Sequence, residues 1–148
     1  MKKYDFYLAG PFFTPEQLEL QEDIEKAFKI MEKKIFSPRL DAGKLEKDAT
    51  KEDMLKVFEA DLSAIDNCGC LFANISYRDT GTSVEIGYAL AKGIPVILFW
   101  DKNRHDTEKV NLMLALACKG AVIQDWMDLP NFLLNGIIPN NEFKFNVE

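Results

Sequence analysis

A chain of 148 residues with 47% hydrophobic and 28% charged residues has the composition of an ordinary globular protein, not of a disordered or fibrous one. Its formal net charge of −6 argues against a nucleic-acid polymer as partner, because binding to phosphate backbones relies on clustered Lys and Arg. We expect one domain over residues 1–148 that acts on small molecules.

The N-terminus and the cysteines indicate a cytoplasmic protein. Residues 1–5 lack the apolar core and cleavage site of a signal peptide, and no apolar run approaches the roughly 20 residues of a membrane span. Cys68, Cys70 and Cys118 are an odd number of thiols, which does not fit a disulfide framework. We therefore expect a reducing compartment and no membrane contact.

Hydrophobic periodicity predicts strands and helices that alternate along the chain, joined by polar loops. The predicted elements are a strand at 5–10, a helix from 14 to about 33, a strand at 35–40, a helix at 51–66, a strand at 69–75, a helix from about 84 to 92, a strand at 95–100, a helical segment at 110–117, a strand at 121–123 and a helix at 129–134. This order predicts an α/β fold: a flavodoxin-like, doubly wound sheet of five parallel strands with helices on both faces.

Two predicted helices carry notable apolar patterns. On the helix at 51–66 an apolar stripe recurs at three- and four-residue spacing: Leu55, Phe58, Leu62 and Ile65. Asp61 lies on the flank of that stripe. The segment 110–117 is apolar all round, which is typical of a helix that is buried within a chain or between subunits.

Three acids are predicted to converge near the carboxyl ends of the first and third strands, where such sheets bind ligands. Asp79 and Glu85 follow the third strand, and Asp61 lies on a neighbouring helix. Carboxylates in one cleft raise one another's pKa values and supply a nucleophile and a proton donor or acceptor. This set fits glycosyl transfer, in which a carboxylate beneath the anomeric carbon traps the sugar covalently.

Each candidate also has an ordinary structural interpretation, and the residues alone leave both open. Thr82-x-x-Glu85 matches a capping box, in which Glu85 only satisfies a backbone N–H. The other structural alternatives are a solvated helix flank for Asp61, a turn for Asp79, a core position for Tyr7 and a helix cap for Asn111. The single histidine, His105, excludes histidine triads and multi-histidine zinc sites, and phosphate-binding glycine motifs are absent from the sequence.

The sequence resembles the nucleoside 2-deoxyribosyltransferase family at four places in the family's order. These are Tyr7-Leu8-Ala9-Gly10-Pro11-Phe12-Phe13, Ala60-Asp61-Leu62, Asp79 followed six residues later by Glu85-Ile86-Gly87-Tyr88-Ala89-Leu90, and Asn111-Leu112-Met113. The resemblance spans about residues 4–115. It implies a retaining transfer of 2-deoxyribose between purine or pyrimidine bases, with 2′-deoxynucleosides and free nucleobases as partners and no metal or organic cofactor.

The resemblance also implies roles for individual residues. Glu85 would attack C1′ of the sugar, Tyr7 would orient that carboxylate and Asp61 would exchange a proton with the base. The implied substrate-binding residues are Asp79 on the sugar hydroxyls, Phe12 and Phe13 stacked on the base, Gly10, Asn111 and Met113. Asn111 would reach a neighbouring subunit's site, so the resemblance implies a homo-oligomer.

Two other functions stay open. A relative in the same superfamily hydrolyses deoxynucleoside 5′-monophosphates, and its position corresponding to Asp79 resembles a serine. Here the charge of Asp79 would repel a 5′-phosphate. The chain could instead be a non-catalytic nucleotide-binding module, since function does not follow from fold. The family's well-known members also close the site with a tyrosine-bearing C-terminal tail, and residues 141–148 contain no tyrosine.

Overall fold

The computed structural model describes residues 1–139 and 142–148, so Asn141 of the tail lies outside the described residues. The elements are β1 (Tyr4–Ala9), α1 (Pro15–Ile30), β2 (Ile35–Phe36), α2 (Pro38–Asp41), α3 (Lys51–Asp66), β3 (Cys68–Asn74), α4 (Thr80–Ala91), β4 (Val96–Phe99), β5 (Lys109–Val110), α5 (Leu112–Ala117), β6 (Val122–Ile123), a 3-10 turn (Trp126–Asp128), α6 (Leu129–Asn135) and β7 (Asn146–Val147).

Five parallel strands form the main sheet in the order β2-β1-β3-β4-β6. This is the predicted flavodoxin-like order, and the prediction of the fold is confirmed. The topological switch point lies between β1 and β3, because β2 is added on one side of this pair and β4 and β6 on the other. The carboxyl ends of β1 and β3 lie side by side, since Ala9 pairs with Ala73. A separate parallel pair, β5 and β7, joins the C-terminal residues to the segment before α5.

Helices cover both faces of the sheet because each presents an apolar stripe to it. Helices α1 and α6 pack on one face through buried residues such as Leu20, Phe28 and Phe132. Helices α3, α4 and α5 pack on the other face, where Ile65 and Ile86 are buried. Burial of apolar area of this kind, at about 25 cal/mol per Å², is the main favourable term in folding. None of the helices among the described residues is both long and apolar enough to cross a membrane.

The two sequence-based boundaries that differ most from the structure each have a local cause. The strand predicted at 35–40 ends at Phe36, and Pro38 begins α2 instead. Proline cannot donate to a strand ladder, and its fixed φ suits the first turn of a helix. The helix predicted from about residue 84 begins one turn earlier, at Thr80, because Asp79 caps it.

The predicted apolar stripe of α3 is only half buried. Ile65 is inaccessible to solvent, whereas Leu55 and Phe58 are 50% and 54% exposed. The α5 segment is likewise buried on one side only, since Leu112 and Leu116 are 50% and 56% exposed. Apolar periodicity therefore marks these helices correctly, but part of each apolar face points away from the chain's own core.

Candidate active site

The side chains of Tyr7 and Glu85 meet at the carboxyl end of the sheet. Tyr7 is fully buried on β1, and its hydroxyl donates a hydrogen bond to Glu85 Oε2 from α4. The Phe36 ring stacks on the Tyr7 ring with centroids 5.6 Å apart, which fixes the direction of the hydroxyl. The structure thus brings together two residues that lie 78 positions apart in sequence.

The position of Glu85 on α4 excludes one of its two interpretations. A capping box would require Thr82 to cap the helix, but Thr82 lies inside α4 and Asp79 is the cap. The Glu85 side chain instead points toward Tyr7 and the end of β1. The capping-box interpretation of Thr82-x-x-Glu85 is therefore wrong for this chain.

Asp61 joins the same cluster from α3. Its Oδ1 atom is buried and has no hydrogen-bond partner within the protein. A buried carboxylate oxygen without a partner costs free energy unless another group, such as a ligand, supplies a hydrogen bond. Asp61 is therefore not a solvated helix flank, and its Oδ1 has unused hydrogen-bonding capacity inside the cluster.

Burial and mutual repulsion shift the pKa values of this cluster. Burial raises the pKa of Glu85 to about 8; the hydrogen bond from Tyr7 lowers it, and the charges of Asp61 and Asp79 raise it. Burial also raises the pKa of Asp61 to about 6, against a lowering by Tyr7. The pKa of Tyr7 is raised by burial and by the two carboxylates, so Tyr7 remains a hydrogen-bond donor. Perturbed carboxylates in one cleft are typical of catalytic sites.

Asp79 lies at the start of α4 and has two functions open to it. One carboxylate oxygen, Oδ2, accepts hydrogen bonds of 2.7 Å from both the backbone N–H and the hydroxyl of Thr82. These bonds fix the carboxylate at the helix N-terminus. Asp79 also lines a cavity of about 340 Å³, in which a carboxylate can accept a hydrogen bond from a ligand.

Phe12 and Phe13 form an aromatic pair in the loop after β1. Their ring centroids are 4.7 Å apart, and Phe13 is 73% exposed. An exposed aromatic ring held by a neighbour offers a flat apolar surface on which a planar base can stack.

Gly10 follows β1 and is fixed by close packing. A Cβ at this position would lie 2.5 Å from Gln21 Oε1 and 3.0 Å from Asn74 Cβ. Gln21 and Asn74 are themselves buried, so a Cβ here would force buried side chains to shift. Gly10 therefore permits the close approach of α1 and β3 to the end of β1.

We expect Gly10→Ala to destabilise the fold by roughly 1–3 kcal/mol, since overpacking a buried position forces neighbours out of place. Gly87→Ala is the matched control, because a Cβ on Gly87 meets nothing within 4 Å and alanine favours a helix by about 0.5–1 kcal/mol. Thermal unfolding of both variants is the measurement. A Gly10→Ala protein as stable as Gly87→Ala would contradict the packing role.

The cavity beyond Asp79 also contains Asn111. Asn111 caps α5, with its Oδ1 accepting from Met113 N at 2.9 Å, and the residue lines the cavity. The helix-cap interpretation of Asn111 is thus correct, and it leaves the residue able to contact a ligand. Met113 is 73% exposed on the outer side of α5 and does not line this cavity.

Three charged residues that the sequence did not single out line the same cavity: Arg78, Lys109 and Glu148. Arg78 directly precedes Asp79, so its position next to a candidate site residue was a usable signal. Glu148 reaches the cavity only through the pairing of β7 with β5. No three of the His, Cys, Asp and Glu side chains among the described residues are arranged to hold a metal ion.

Comparison with known proteins places this site in context. The profile of the family described as nucleoside 2-deoxyribosyltransferase matches residues 6–119. The solved structure of a 2-deoxyribosyltransferase from Bacillus psychrosaccharolyticus has a TM-score of 0.74 and 31% identity, covering 85% of this chain and 90% of that one.

A second solved structure agrees with the fold, and one relative matches most of the chain in sequence. The crystal structure of a conserved protein from Enterococcus faecalis V583 has a TM-score of 0.67 at 22% identity, covering 89% of this chain and 98% of that one. An uncharacterized protein of Ureaplasma parvum serovar 3 is 29% identical over 156 aligned residues, covering 93% of this chain and 96% of the relative. The family profile spans Tyr7, Asp61, Asp79, Glu85 and Asn111.

Proposed function

The chain belongs to the nucleoside 2-deoxyribosyltransferase family, and we propose that it moves 2-deoxyribose from one nucleobase to another through a covalent intermediate on Glu85. The observation that carries this proposal is the buried contact of Tyr7 with Glu85 beside Asp61. The solved relative from Bacillus psychrosaccharolyticus is itself a 2-deoxyribosyltransferase.

In the first step, an oxygen of the Glu85 carboxylate attacks C1′ of a 2′-deoxynucleoside. The C1′–O bond to Glu85 forms as the C1′–N glycosidic bond breaks, and the electron pair leaves with the base. In the second step, a nitrogen of the incoming base attacks C1′ and the carboxylate departs. Two inversions give net retention. Tyr7 keeps its proton and donates to Glu85, so it holds the other carboxylate oxygen toward the sugar.

Asp61 supplies the proton that the departing base needs and recovers one from the arriving base. Its raised pKa of about 6 allows part of the population to be protonated near neutral pH, which a general acid requires. We assign the proton exchange with a base nitrogen to its Oδ1, which has no partner within the protein. A 2-deoxy sugar suits this chemistry, because positive charge at C1′ develops more easily without an electron-withdrawing 2′-hydroxyl.

The remaining candidates bind substrate. Asp79 accepts a hydrogen bond from a sugar hydroxyl at the mouth of the cavity, and the Phe12–Phe13 pair stacks on the base. Gly10 contributes by shaping the end of β1. We assign the remaining two candidates, Asn111 and Met113, to binding the 5′ side of the sugar and to a contact with a neighbouring subunit.

We further propose that the protein works as a homo-oligomer in which Asn111 contributes to a neighbouring site. The exposed apolar residues on the outer sides of α3 and α5 support this: Met54, Leu55, Phe58, Leu112, Met113 and Leu116. Asn111 lies at the start of α5, next to this surface. Sedimentation equilibrium at assay concentrations should give a dimer or a larger species, and a strict monomer would contradict the proposal.

The proposed activity is tested by incubating the protein with 2′-deoxyinosine and free adenine and separating the products by chromatography. We expect deoxyadenosine and hypoxanthine in equal amounts. Hypoxanthine released without deoxyadenosine would mean that water is the acceptor, and the protein would then be a hydrolase. No product from any deoxynucleoside or deoxynucleotide would leave a binding module without catalysis.

A further inference from the structure

The charged residues that line the cavity of about 340 Å³ at Asp79 are two cationic and two anionic side chains. The cations are Arg78 and Lys109, and the anions are Asp79 and Glu148. If a nucleoside places C1′ at Glu85 and a sugar hydroxyl at Asp79, its 5′ substituent extends into this cavity. The following inference therefore rests on the proposed function and concerns the charge that this cavity accepts.

Arg78 is the side chain in this cavity best suited to bind an anion, but it already forms an ion pair with Glu148. Its Nη2 lies 2.9 Å from Glu148 Oε1 and 3.3 Å from the carbonyl oxygen of Lys109. A guanidinium that faces a ligand cavity would otherwise bind a phosphate in a two-pronged geometry. The Glu148 carboxylate occupies the position that such a phosphate would take.

The backbone of Glu148 is fixed at this place. Its N–H donates to the Val110 carbonyl at 2.9 Å, and its carbonyl accepts from Leu112 N at 2.7 Å. An exposed ion pair alone is weak, and a free carboxylate would be displaced readily by a phosphate. Because the backbone of Glu148 is held in place, its carboxylate stays beside Arg78 at a high effective concentration. Even when it is displaced from Arg78, its negative charge still repels an anion in the cavity.

We propose that Glu148 is a specificity-determining residue: by neutralising Arg78 it restricts this cavity to deoxynucleosides with a neutral 5′-hydroxyl and excludes deoxynucleoside 5′-monophosphates. Asp79 adds to the exclusion but is fixed as the cap of α4. Removal of the Glu148 charge frees Arg78 and turns the cavity into a site for a 5′-phosphate.

The test compares 2′-deoxyadenosine with its 5′-monophosphate, by kcat/KM with a second base as acceptor and by calorimetric binding. For Glu148→Gln we expect the preference for the monophosphate to rise about tenfold or more in both readouts, the order expected from removing one unit charge a few ångströms away. In the double variant Arg78→Gln, Glu148→Gln this gain should disappear. Glu142→Gln, an exposed carboxylate of the same tail, should leave the preference unchanged.

An unchanged preference in Glu148→Gln would overturn the inference, as would a gain that persists without Arg78 or that Glu142→Gln reproduces. The two readouts separate this inference from the proposed function. If no variant turns over either compound, the transferase proposal fails, whereas the binding preference still decides the role of Glu148.

Discussion

Glu85→Gln should reduce the transfer of deoxyribose by roughly 10³-fold or more, because an amide cannot form the covalent bond to C1′ on which the proposed reaction depends. The substitution keeps the shape of the side chain and an oxygen that can accept from Tyr7. It removes a carboxyl group whose ionised form is costly to bury. The folded state should therefore be at least as stable as that of the wild type.

Steady-state transfer from 2′-deoxyinosine to adenine measures this loss, with thermal unfolding as the check on folding. Glu59→Gln is the matched control, since Glu59 is an exposed glutamate on α3 and should retain full activity. A Glu85→Gln protein that folds normally and keeps a tenth or more of the wild-type rate would rule out Glu85 as the nucleophile.

Asp61→Asn should change both the rate and the shape of its pH dependence. The proposed reaction needs Glu85 ionised and Asp61 protonated, so kcat/KM of the wild type follows the singly protonated pair. The singly protonated pair dominates between the two pKa values of about 6 and about 8, with its proton mostly on Glu85. The reactive form, with the proton on Asp61, is a minor fraction of that pair and follows the same pH dependence, so the profile is a bell with limbs at these two values. Loss of the general acid should lower the maximum by about 10²- to 10⁴-fold.

The high-pH limb should disappear in Asp61→Asn, because the variant has no general acid whose proton can be lost. The rate should rise to a plateau as Glu85 ionises, with a midpoint below about 8, since the Asp61 charge no longer raises the pKa of Glu85. The profile is measured from pH 5 to 9.5, with Asp48→Asn as an exposed control. A bell that keeps both limbs in Asp61→Asn would show that Asp61 is not the titrating acid.

The sheet order and the place of the acids could be predicted because they depend on local patterns. Continuous apolar runs at 69–75 and 95–100 predict buried parallel strands, and parallel strands with intervening helices have few allowed topologies. Once the order was known, Asp79 and Glu85 had to lie at the ligand end. The 35–40 segment was misassigned because apolar composition outweighed Pro38, whose backbone restriction prevailed in the structure.

Contacts between distant segments could not be predicted from sequence. The stacking of Phe36 on Tyr7 depends on the register of β2 beside β1, which is set by a strand of two residues. Glu148 enters the cavity through another two-residue strand, β7, and no periodicity marks so short an element. The exposure of Leu55 and Phe58 could not be predicted either. The sequence pattern of an apolar stripe is the same whether the stripe packs on the chain's own core or on another subunit.

Mass spectrometry tests the proposed covalent intermediate, a deoxyribosyl group on Glu85, most directly. The protein is mixed with a 2′-deoxynucleoside in the absence of an acceptor base, quenched with acid within the first turnover and digested. We expect the mass of one deoxyribosyl group on the peptide that contains Glu85, with one equivalent of base released. Release of that base with the Glu85 peptide unmodified, or with the sugar on another residue, would contradict it.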